Sequence, residues 1–145
     1  MNKELVFFVV DDDADDRDIF TMALACIRHK TKCIAVKSGE EALELLKNDK
    51  KIIPDFIFLD INMPRVGGKE CLIEIRKMEW LKNVPIYIYS TSLADEDKTE
   101  TRSLGATDYF VKPYSVKILI DILSKIILAH SPPKLSNSDR SLPTS

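Results

Sequence analysis

The chain has only three cysteines among 145 residues, Cys26, Cys33 and Cys71, and no two of them stand in CxxC spacing. All three sit in apolar stretches. An odd number of core-like thiols argues against a disulfide framework and for a reducing compartment. No apolar run approaches the ~20 residues that a membrane-spanning helix needs. The run at Leu5–Val10 is too short for the core of a signal peptide, and aspartate follows it at once. Charge of one sign is also lacking: 21 Lys and Arg face 23 Asp and Glu, for a net charge of −2. Bulk electrostatics therefore favour neither nucleic acid nor a membrane surface as partner. What remains is the composition of a cytoplasmic globular protein of single-domain length, 45% apolar and 30% charged.

Against that background the stretch "LVFFVVDDDADDRDIF" stands out, with six apolar residues followed by aspartate at five of the next six positions. Two carboxylates about 4 Å apart repel by roughly 1 kcal/mol in water and about 4 kcal/mol near a protein surface. A helix N-terminus offsets about 0.3–1 kcal/mol per anion, so the remainder calls for a cation.

Short apolar runs alternate with helix-period segments along the chain. The expected strands are Leu5–Val10, Cys33–Val36, Asp55–Leu59, Ile86–Tyr89 and Asp108–Val111. Their near-continuous Val, Ile, Phe and Tyr content is that of strands buried on both faces of a parallel sheet. A first helix is expected from near Ala14, with Ile19, Phe20, Ala23, Cys26 and Ile27 on one face. Ser38 and Glu41 match a capping box ahead of a second helix. Gly67-Gly68 opens a third, Ser92 is placed as the cap of a polar fourth, and Ser115 caps a fifth. Such alternation predicts an α/β fold, a doubly wound five-stranded parallel sheet of flavodoxin-like (βα)5 type. From His130 to Ser145 the chain is rich in Ser and Pro with little to bury, so this tail is expected to be disordered.

In open α/β sheets ligands bind beyond the carboxyl ends of the strands. Those ends carry Asp11 and Asp12, then Asp60 and Asn62, then Ser90 and Thr91, then Lys112 and Pro113. With strand order 2-1-3-4-5 they lie side by side. Carboxylates such as Asp12 and Asp60, with a backbone carbonyl, are hard oxygen ligands suited to Mg²⁺. Lys112 is expected to pair with Asp60, or with a phosphoryl oxygen in its place. Asp13, Asp15 and Asp16 are assigned to the helix N-terminus rather than to ligation.

In these motifs, the acidic pair Asp11-Asp12, "FLDINMPRVGG" around Asp60, Ser90 and "YFVKPY" around Lys112, the chain resembles the receiver domains of two-component response regulators, over about residues 4–129. The resemblance implies that Asp60 accepts a phosphoryl group from a histidine kinase or a histidine phosphotransfer protein. It implies Mg²⁺ held by Asp11, Asp12, Asp60 and the carbonyl of Asn62. It makes Ser90, Thr91 and Lys112 phosphoryl-binding groups, Ser90 and Tyr109 a switch pair, and the peptide before Pro113 cis, which costs X–Pro only about 0.5–1 kcal/mol. The expected protein is a stand-alone switch, monomeric or weakly dimeric, that is no enzyme toward outside substrates. Its fourth helix, fifth strand and fifth helix would meet a downstream partner.

Against a receiver that has lost signalling and acts as a scaffold stand the intact acceptor Asp60, the acidic pair, Ser90 and Lys112, and three rivals of other classes fit less well. A calcium loop starting at Asp11 would need glycine where Asp16 stands and glutamate where Met22 stands. A haloacid-dehalogenase-like phosphatase would use Asp11 and Asp13 but leave Asp60 without a role. A flavin binder could not cradle phosphate in a loop of aspartates.

Overall fold

A computed structural model describes residues 3–130. Its elements run β1 (Leu5–Val10), α1 (Ala14–Ala25), β2 (Thr31–Val36), α2 (Gly39–Asn48), β3 (Phe56–Leu59) and α3 (Gly68–Arg76). A 3-10 turn at Glu79–Leu81 then leads to β4 (Ile86–Ser90), α4 (Asp95–Ser103), β5 (Asp108–Val111) and α5 (Val116–His130). All strand pairings are parallel, in the order β2-β1-β3-β4-β5. The doubly wound sheet is thus the one the alternation predicted.

Alternation along each strand splits the core into two layers. Phe8, Val10, Ile57, Leu59, Ile86 and Ile88 face Leu46 of α2 and Leu72 and Ile75 of α3. Phe7, Val9, Phe56 and Phe58 face Phe20 and Leu24 of α1 and Leu119 and Leu123 of α5. Both faces are covered, which is why the central strands read as unbroken apolar runs. The second layer is aromatic: the Phe20 ring lies 4.9 Å from Phe58 and 5.7 Å from Tyr89, edge on to both.

Local differences from the sequence expectation have local causes. β3 starts at Phe56 because Asp55 turns its carboxylate onto the Val6 amide, 2.8 Å away. β2 begins at Thr31, in register with Leu5. The buried face of α1 is Phe20, Ala23 and Leu24, whereas Ile19 and Cys26 are exposed. Of the cysteines only Cys71 is buried. Ser38 caps α2 as expected, accepting from the Glu41 amide, but the Glu41 carboxylate takes the Lys37 amide rather than that of Ser38. α4 starts at Asp95 with Ala94 as its cap, since the Ser92 hydroxyl is engaged with Asp97 at 2.6 Å. His130 ends α5, and the rest of the expected tail lies outside the described residues. Among those residues no helix is long and apolar enough to cross a membrane.

Because Phe20 is fully buried and holds α1 on the sheet, Phe20→Ala is expected to cost about 3–5 kcal/mol. Urea unfolding measures it, and a loss below about 1 kcal/mol would contradict this packing.

Candidate functional site

The sheet ladder runs one residue past each of three strands and thereby sets the site. The amides of Asp11, Asp60 and Lys112 donate to Val36 O, Val10 O and Ser90 O at 3.1, 3.0 and 2.9 Å. Asp11, Asp60 and Ser90 are therefore held at the carboxyl edge with exposures of 1%, 6% and 0%, while Asp12 is exposed. Carboxylate oxygens of Asp11, Asp12 and Asp60 lie within 4.8 Å of one another. Gly68 lets α3 start against this loop, since a Cβ there would collide with the Asp60 carbonyl oxygen and the Ile61 Cα.

One cation compensates the cluster. The Lys112 ammonium lies 2.7 Å from Asp11, 2.8 Å from Asp16 and 3.4 Å from Asp60. Burial alone would lower its pKa, but the bonds to Asp11 and Asp16 outweigh this and hold it above the ordinary lysine range. Burial pushes the Asp11 carboxyl up to about 6, against the opposing pull of Lys112 and of the Asp13 amide. Asp11 also has its carbonyl tied to the Arg17 guanidinium at 2.7 Å.

A second group of bonds links Asp60 to α4 and β5. The Asn62 amide donates to Asp60 Oδ1 at 3.1 Å, and the Asn62 side chain reaches Ser90 Oγ at 3.4 Å. Ser90 Oγ also accepts from the Ser92 amide at 3.3 Å. Ser92 in turn receives the Tyr109 hydroxyl on its carbonyl at 2.9 Å and donates its own hydroxyl to Asp97. Lys69 at the start of α3 clamps Asp97 and Glu100 at 2.8 and 2.6 Å.

The predicted residues Asp11, Asp12, Asp60, Asn62, Ser90 and Lys112 are thus brought together, and half-buried Tyr109 joins them through Ser92. Thr91 is exposed beside them. One expectation is corrected: the Lys112–Pro113 peptide is trans, as no cis peptide bond occurs among the described residues. Trans is the intrinsically favoured isomer, and a margin of about 0.5–1 kcal/mol leaves tertiary context to choose. Asp13 is a helix cap, accepting from the Asp15 and Asp16 amides at 2.9 and 3.2 Å, so the dehalogenase-like reading loses its second acid. Sequence reasoning missed Asp16 and Lys69 as site contacts. Asp16 carried no signal beyond its place in an acidic first turn, for its partner is 96 positions away.

The family model for the response regulator receiver domain matches residues 7–124. The chain belongs to that family. The receiver is 32% identical over 124 residues to the sensor histidine kinase CheAY of Helicobacter pylori, covering 86% of this chain but 15% of that protein. It is 34% identical to the two-component response regulator ORR12 of Oryza sativa, covering 81% of this chain and 94% of the relative. It also spans 55% and 41% of two further curated regulators, from Porphyridium aerugineum and Guillardia theta. Among solved structures, the phosphorylated cyanobacterial phytochrome response regulator RcpA superposes with a TM-score of 0.80 at 28% identity, over 90% of this chain and 98% of that one. The Mn²⁺-bound form of response regulator Rcp1 superposes at 0.74 and 25% identity, over 84% and 91%.

The three carboxylates fit a hard divalent cation, being oxygen donors on a rigid edge with one member exposed. Asp12→Ala is expected to weaken Mg²⁺ binding at least tenfold in calorimetric titration and to raise the melting temperature in chelator, by relieving repulsion. Undiminished Mg²⁺ affinity would remove Asp12 from the ligand set.

Proposed function

We propose that this receiver accepts a phosphoryl group on Asp60 from the phosphohistidine of a histidine kinase or a histidine phosphotransfer protein, in a Mg²⁺-dependent reaction. The observation that carries the reading is Asp60 itself. It is a nearly buried carboxylate at a strand end, within reach of one ammonium and flanked by two further carboxylates. Asp60 Oδ attacks phosphorus as the phosphorus–nitrogen bond breaks, a displacement in which positioning does most of the work. Asp11, Asp12, Asp60 and the Asn62 carbonyl would hold Mg²⁺, which when bound neutralises charge on the transferred group. Lys112 offers its ammonium to a phosphoryl oxygen. Ser90 accepts in both of its described bonds, so its own proton is available to donate to another phosphoryl oxygen.

That donation supplies the switch. A shift of Ser90 toward phosphate pulls on the Ser92 amide, whose residue carries the Tyr109 hydroxyl and the Asp97 contact. The face formed by α4, β5 and α5 changes with it and meets the downstream partner. The protein catalyses its own phosphorylation and turns over no outside substrate in this reading, acting in the cytoplasm as a monomer or weak dimer. Residues 1–129 would carry this activity, with residues 130–145 a passive extension.

Intact-mass spectrometry after incubation with acetyl phosphate tests it. We expect a Mg²⁺-dependent gain of one phosphoryl group in the wild type and none in Asp60→Asn, with the fold of the variant unchanged by circular dichroism. An equal gain in both proteins would overturn the assignment.

A further inference from the structure

An ammonium has three protons, and in this receiver three carboxylates take them. Asp11 is the most buried of the three and sits at 2.7 Å, while Asp60 is the most distant at 3.4 Å. The third, Asp16, holds a bond of 2.8 Å although its side chain is 32% exposed. Its position is fixed from within α1. The Asp13 carboxylate caps the helix on the amides of Asp15 and Asp16, and the following turn brings Asp16 across to the end of β5. Asp15, in the same turn, is exposed and makes no bond to Lys112. The carboxylates of Asp11, Asp16 and Asp60 therefore share the Lys112 ammonium, and that of Asp12 lies within 4.8 Å of those of Asp11 and Asp60.

We propose that Asp16 is a positioning residue for phosphoryl transfer: it competes with the phosphoryl group for the Lys112 ammonium and so sets how tightly the phosphorylated site is held. This rests on the reading of Asp60 as the phosphoacceptor. A phosphoryl group on Asp60 replaces the longest of the three contacts, at 3.4 Å, with more highly charged oxygens, and Lys112 closes on them only by loosening one of its two shorter contacts. Asp16 is the contact to yield. Its carboxylate is partly exposed and regains water on release, whereas Asp11 is buried and would be left without its counter-charge. Exchange of one partly solvated charge contact for another keeps the cost small and the competition close. Asp16 thereby lowers the affinity of the site for phosphate without touching phosphate, and acts only through Lys112.

The test uses fluoroberyllate (BeF₃⁻), which stands in for the phosphoryl group on a carboxylate, titrated calorimetrically at saturating Mg²⁺. Removing the competitor in Asp16→Asn is expected to tighten binding about fivefold, the scale of a partly exposed charge contact. Asp16→Glu should return toward wild-type affinity, and Asp15→Asn, which deletes a charge in the same helical turn without a Lys112 bond, should leave affinity unchanged. In a Lys112→Met background the effect of Asp16→Asn should vanish. Equal tightening by Asp15→Asn would assign the effect to the general field of the helix and overturn the proposal. So would a wild type that binds the probe as tightly as Asp16→Asn does. A wild type that neither binds fluoroberyllate nor gains a phosphoryl group from acetyl phosphate would instead overturn the reading of Asp60.

Discussion

One ammonium against a crowd of carboxylates is the constraint around which this molecule is arranged. Lys112 has a side-chain exposure of 10% and bonds to Asp11, Asp16 and Asp60. Without it, the ends of β1 and β3 would carry uncompensated charge in a partly desolvated crevice. Breaking such a buried pair by removing one partner typically costs about 3–5 kcal/mol. The cluster is therefore tolerated in the resting protein and remains hungry for positive charge. That is the electrostatic condition for taking up a divalent cation.

The sheet makes this arrangement possible by placing the charges before they interact. Parallel strands end on one edge, and the ladder bonds of Asp11, Asp60 and Lys112 extend that edge by one residue each. The two apolar layers, one aromatic around Phe20 and Phe58 and one aliphatic around Ile57 and Leu72, then fix the depth of every strand end. A carboxylate at such a position can stay buried because its backbone has nowhere else to go.

From Asp60 a continuous line of hydrogen bonds runs through Asn62, Ser90 and Ser92 to Tyr109 and Asp97, and ends on Lys69. It joins the buried carboxylate to α4, whose single buried residue is Thr101. An element with so little apolar burial is held mainly by polar contacts of this kind. The chain belongs to the receiver family, in which phosphorylation on aspartate is general.

The order of elements was legible in the residues because it rests on local physics. Short runs of Val, Ile and Phe between turn residues read as strands covered on both sides, and Ser38 marks its helix start through a bond three residues away. The placement of Asp11, Asp12, Asp60, Ser90 and Lys112 on one edge was legible for the same reason: each stands at a strand end or within two residues past it, and strand ends converge in a parallel sheet. What the residues did not disclose are the pairings between remote segments. Asp16 reads as one more acid in a first turn, and its bond to Lys112 spans 96 positions. Lys69 and Asp97 lie 28 apart on helices whose mutual placement no local pattern encodes. The trans peptide before Pro113 belongs with these, because both isomers are within about 1 kcal/mol locally and the surroundings decide. Short-range propensity determined which elements form and which groups stand at their ends. Only the packing of α1, α3 and α4 around the sheet decided which of those groups share one proton donor.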